Sequence, residues 1–105
     1  MELRETARMM GSVSYKERFI AEYWQTKIRY EKLKKFNNRI EAAEVWGKTG
    51  KIPVHDSPYQ ILHRQQSVMG EYLSILEVRA EIEEIDLDAP LKTGHCMEQE
   101  QGRGN

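Results

Sequence analysis

Residues 15–46 contain neither proline nor glycine, and nothing else in the chain constrains its fold as strongly. Proline removes a backbone donor and glycine weakens a helix interior by about 1 kcal/mol. A run free of both can form one unbroken helix, about 48 Å long at 1.5 Å per residue. Ser14-Tyr15-Lys16-Glu17 marks its start: Ser14 can accept from the Glu17 amide while the Glu17 side chain reaches back, the capping-box pattern. Gly47 marks its end, because glycine takes a left-handed conformation without steric cost. Pro53 and Pro58 prevent continuation.

Ser57-Pro58-Tyr59-Gln60 repeats the start signal, with Ser57 as cap and Pro58 in the first helical position. The second helix is predicted from Pro58 to between Ile85 and Leu87, about 58–86, ahead of Pro90. Residues 1–13 show no helical periodicity and are expected as a flexible lead-in. Residues 89–105 are expected as a flexible tail. A loop of about 11 residues between two long helices makes the expected architecture all-α, an antiparallel helical hairpin over 14–88.

Charge favours the pairing. Residues 14–46 hold eight Lys/Arg against five Glu, or +3; residues 58–88 hold Arg64 and Arg79 against seven acids, or −5. Each exposed ion pair contributes only a few tenths of a kcal/mol.

On a helical projection Tyr15, Phe19, Tyr23, Tyr30, Leu33 and Ile40 form one stripe, with Thr26 and Asn37 in it: the expected core face of the first helix. Trp24, Ile28 and Trp46 project nearly opposite, a patch that a lone hairpin would leave in water and that therefore reads as a partner surface. On the second helix the apolar residues spread over about half the circumference, including Leu62, Met69, Leu73 and Leu76. One neighbouring helix covers about a third, so a homo-oligomer of hairpins is expected, with these residues at its interfaces. Small helical chains commonly supplement a limited core in this way.

Composition narrows the function. The 105 residues are 39% apolar and 31% charged, with a net charge of −1 and a pI near 6.3, so no overall charge draws the chain to nucleic acid or to a membrane surface. No apolar run reaches the roughly 18–20 residues that span a bilayer, nor does MELRETARMMG carry a signal-peptide core. Cys96 is the single cysteine, which excludes an intrachain disulfide and fits a reducing cytoplasm.

Catalytic and metal motifs are absent. Gly47-Lys48-Thr49 echoes the end of a phosphate-binding loop, but Ala42 stands where that motif needs glycine, and no strand precedes it. His55, His63 and His95 lack metal-ligand spacing, and no base and orienter accompany a nucleophile. The acidic run Glu77–Asp88 reads as a solvated helix end. No cofactor and no enzymatic activity are expected.

The polar residues among the apolar ones are more informative. Gln65, Arg79 and Glu83 project into the apolar arc, and Arg79 and Glu83 are spaced i, i+4. Tyr15, Tyr23, Tyr30 and Tyr72 add hydroxyls. Unsatisfied buried polar groups cost about 1–3 kcal/mol each. These residues therefore form either a network that fixes register or a pocket at an oligomer junction.

The pattern Tyr15-x-x-Arg18-x-x-x-Glu22, then Leu33-x-x-Phe36, then Leu62-x-Arg64-Gln65-x-x-x-Met69-x-x-Tyr72-x-x-Ile75-Leu76-x-x-Arg79 resembles a family of short phage and prophage proteins related to a small protein of crAss-like phages. The resemblance covers about 15–85; the N-terminal extension, the longer loop and the tail depart from it. It implies a phage accessory protein. The layout is also similar to the hairpin domain of phage anti-CBASS and anti-Thoeris sponge proteins, oligomers that sequester cyclic nucleotide immune signals. No motif of theirs aligns position by position, so their binding residues do not transfer.

These resemblances imply a counter-defence protein in the cytoplasm of an infected bacterium, sequestering a cyclic nucleotide or similar host signal. The residues suited to that ligand are Arg18, Arg64 and Arg79 for phosphate and Tyr15 and Tyr72 for stacking or hydrogen bonding, with Gln65 in the same set. The alternative is an interaction module that inhibits a host defence protein or regulates a phage protein, through Trp24 and Ile28 or the acidic end of the second helix.

Overall fold

The computed structural model describes residues 1–46 and 53–91. Among them the chain is all-helical: α1 (Leu3–Met10), α2 (Tyr15–Trp46) and α3 (Tyr59–Glu83). The predicted stop at Gly47, most of the tail, His95 and Cys96 lie outside the described residues.

α1 corrects the expectation of a flexible lead-in. The Glu5 carboxylate accepts from the Glu2 amide at 2.8 Å. Thr6, fully buried, donates its hydroxyl to the Leu3 carbonyl at 2.6 Å. The helix is capped and also amphipathic, with Leu3 and Met9 partly buried and Thr6 fully buried at three-residue spacing.

α2 has the predicted limits, and the Glu17 amide donates to Ser14 Oγ at 3.3 Å. α3 starts at Tyr59, because the Pro58 carbonyl accepts from the Ile61 and Leu62 amides and so occupies the cap position. α3 also ends earlier than predicted. Glu84 adopts a left-handed backbone, φ 57°, and the Ile85 amide donates to the Ala80 carbonyl at 2.8 Å. That six-to-one bond is a Schellman ending, here closed by glutamate instead of glycine.

The chain divides into two compact units, one formed by Met1–Gln25 and the chain from Leu76 onward, the other by Thr26–Ile75. In the first, Phe19, Ile20, Ala21 and Tyr23 of α2 are buried, as are Leu76 and Ala80 of α3 and Ile85. Tyr15 bonds to Glu83 and Tyr23 to Glu77, so α2 and α3 run antiparallel here.

In the second unit Ile40 and Ala43 of α2 and Leu73 of α3 are buried beside Asn37. Asn37 meets Gln66 and Glu41 meets Tyr59, again an antiparallel pairing. The helices approach closely at Gly70, where a Cβ would come within 3.3 Å of Tyr30 Cε1.

Candidate functional site

The i, i+4 spacing of Arg79 and Glu83 on α3 sets an ion pair, with Arg79 Nε donating to Glu83 Oε2 at 3.1 Å. α2 brings Tyr15 to the same place. Tyr15 Oη donates to Glu83 Oε1 at 2.8 Å and accepts from Arg79 Nη2 at 2.7 Å. The guanidinium lies 5.0 Å from the centroid of Phe19, and the Tyr15 and Phe19 rings meet edge to face. The Glu83 hydrogen bond chiefly, with burial, raises the Tyr15 pKa above its ordinary value, against the opposing charge of Arg79.

A guanidinium over an aromatic face beside a hydroxyl can meet an anion attached to a flat ring. Glu83 already engages Arg79, so an entering anion meets a guanidinium whose charge is partly offset.

Arg18, in the same unit, donates to the Ser12 carbonyl at 2.8 Å. A cleft of about 450 Å³ lies beside Arg8, Met9, Glu17, Ile20, Ala89 and Pro90. Trp24 is half-buried instead of standing in water. Its indole donates to the Leu87 carbonyl at 2.7 Å, and Tyr23 packs edge-on against it. Tyr23 donates to Glu77 Oε2 at 2.8 Å; burial first, then this bond, pushes its pKa well up.

In the Thr26–Ile75 unit, Arg64 and Gln65 are exposed and line a groove of about 300 Å³ with Ile61, Val68 and Met69. Tyr72 is exposed on α3. Ile28, Leu62 and Met69 are half-buried. Leu73 is buried within the chain, as is Leu76 in the other unit; neither is available to a partner. The side chain of Trp46 lies outside the described residues.

The structure thus joins Tyr15 with Arg79 and Arg64 with Gln65, and ties Arg18 to the Ser12 carbonyl. Gln65 and Arg79 do not sit in a buried seam; both are exposed. The polar residue buried between α2 and α3 in the Thr26–Ile75 unit is Asn37, 2% exposed. Its Nδ2 donates to the Leu62 carbonyl at 3.1 Å and to Gln66 Oε1 at 2.9 Å. The carbonyl can only accept, which fixes the amide orientation and leaves Asn37 Oδ1 unpartnered among the described residues. Position 37 falls in the predicted core stripe, but nothing in the spacing names Gln66 as its partner.

Among the described residues no cluster of His, Cys, Asp or Glu could hold a metal ion, and no helix is long and apolar enough to cross a membrane.

A family model described as Sequestin matches residues 14–82, about two thirds of the chain, taking in α2 and nearly all of α3. No curated protein and no solved structure matches significantly.

Proposed function

The chain belongs to the Sequestin family, and from that premise we propose that it is a non-enzymatic sequestering protein. It binds a small anionic host signal, such as a cyclic nucleotide, and withholds it from its receptor. In this reading it is a phage accessory protein acting against host defence, built as a homo-oligomer of helical hairpins. The observation that carries the reading is the family match, whose name denotes sequestration and whose span is the paired helices. The Arg79–Tyr15–Phe19 cluster and the Arg64–Gln65 groove supply the cations and flat or hydrogen-bonding groups such a ligand needs, with Arg18 and Tyr72 as further contacts.

Thermal shift against cyclic di- and trinucleotides and ADP-ribose-derived signals tests it. A ligand present at 100 times its Kd adds about 2.7 kcal/mol, which raises the Tm of a domain this size by roughly 10 °C or more. Arg64→Ala and Arg79→Ala, made separately, identify which cluster holds the ligand. If no signal molecule raises the Tm, sequestration of such a ligand is wrong.

The second reading, a module that inhibits a host protein or regulates a phage protein, draws on the acidic end of α3, where Glu81 and Glu84 are exposed. Trp24 serves it less well, since its indole is bonded within the chain.

A further inference from the structure

Ile61, Val68, Ile75 and Ile82 recur on α3 at a strict seven-residue spacing, and they are 50%, 56%, 56% and 74% exposed. They form a second apolar stripe, apart from the buried face of Leu73, Leu76 and Ala80. A straight helix drifts about 20° per heptad, so a repeat held at seven follows a partner helix in a supercoil. β-Branched residues at every seventh position are typical of such seams.

The local geometry agrees. A knob from a facing helix enters a hole made by residues i, i+3, i+4 and i+7. Ile61, Arg64, Gln65 and Val68 have that spacing, and together with Met69 they line the 300 Å³ groove. Glu71 and Tyr72 occupy the corresponding positions of the next heptad, before Ile75. The stripe from Ile61 to Ile75 lies within the Thr26–Ile75 unit.

Charge selects both occupant and direction. A parallel, in-register copy would set Arg64 against Arg64 and Glu71 against Glu71, like charges at a closing interface. An antiparallel copy related by a two-fold axis at Val68 sets Ile61 against Ile75 of the partner subunit. It also sets Gln65 against Glu71 of the partner subunit and Arg64 against the ring of Tyr72 of the partner subunit, a cation–π arrangement. The same pattern supplies both sides, as a two-fold interface requires.

We infer that α3 packs antiparallel against α3 of a second copy of this chain, centred on Val68. The inference rests on the homo-oligomer part of the proposed function and not on any ligand.

Sedimentation of the full chain tests it, with circular dichroism to verify helicity. The wild type is expected to be at least dimeric at about 100 µM, and Val68→Lys to weaken association about 100-fold or more by placing two ammonium groups on the axis. Orientation is read by mild oxidation in a Cys96→Ser background. Val68→Cys is expected to cross-link to itself, since only the axial position faces its own copy. Ile61→Cys and Ile75→Cys are expected to cross-link to each other and not to themselves. A monomeric wild type, an oligomer that survives Val68→Lys, or self-cross-linking of Ile61→Cys overturns the inference. Thermal shift on the same proteins separates the two claims: association without any ligand response retains this interface and removes the sequestered signal, and a ligand response from a monomeric wild type does the reverse.

Discussion

α2 meets α3 through different chemistry in the two units. In the unit containing both chain ends, the tyrosine hydroxyls of Tyr15 and Tyr23 donate to the carboxylates of Glu83 and Glu77. These bonds lie around an apolar centre that also includes Ile85. In the Thr26–Ile75 unit a fully buried amide, Asn37, ties the helices together in a core that includes Ile40 and Leu73, with an exposed Tyr59–Glu41 bond at its edge. A polar contact at a rim keeps water as an alternative partner, whereas one in a core does not. The exposed Tyr15–Glu83 bond therefore adjusts stability, Tyr23, whose ring is buried, is intermediate, and the buried amide decides which residues face each other.

The contrast is open to direct attack. Asn37→Ala should have the largest effect, about 2–3 kcal/mol in urea unfolding, from the lost hydrogen bonds and the cavity. A double-mutant cycle with Gln66→Ala should give a coupling of roughly 1 kcal/mol. An Asn37→Ala cost no greater than that of a rim tyrosine would erase the distinction.

Tyr23→Phe should come next, at about 1 kcal/mol, with a pH signature. Folding holds the Tyr23 hydroxyl protonated, raising its pKa above the ordinary 10.0. Its contribution is complete below about pH 10 and is lost as pH climbs through the folded-state value. The Tm of the wild type should therefore fall above about pH 10, and that of Tyr23→Phe should fall less steeply. Tyr15 and Tyr59, also raised, should retain part of the slope.

Glu84→Gly should be smallest and of opposite sign. The left-handed conformation costs a non-glycine residue about 1–2 kcal/mol. Glycine removes that strain but adds freedom to the unfolded chain, for a net gain of about 0.5–1 kcal/mol, read as a rise in Tm of a few degrees.

What the sequence made legible was what local chemistry decides. The capping box at Ser14 and the absence of breakers gave the limits of α2, and i, i+4 spacing gave the Arg79–Glu83 pair. The end of α3 escaped because its left-handed residue is a glutamate, carrying no glycine signal. α1 escaped because its amphipathic run, Leu3 to Met10, spans little more than two turns and its buried centre is a threonine. The candidate site was legible as a set of residue types and not as a set of neighbours. That Tyr15 closes on Arg79, or that Trp24 bonds to the Leu87 carbonyl, depends on contacts between residues about 60 positions apart.

The Trp24–Leu87 bond also gives the chain a built-in optical gauge. Indole emission responds to a hydrogen bond at its nitrogen and to nearby water, and Trp24 is bound to the segment that follows α3. Its fluorescence thus reports, on the unlabelled protein, whether that segment is seated. With Trp46 changed to phenylalanine the signal would come from that one place, in a chain that has two tryptophans.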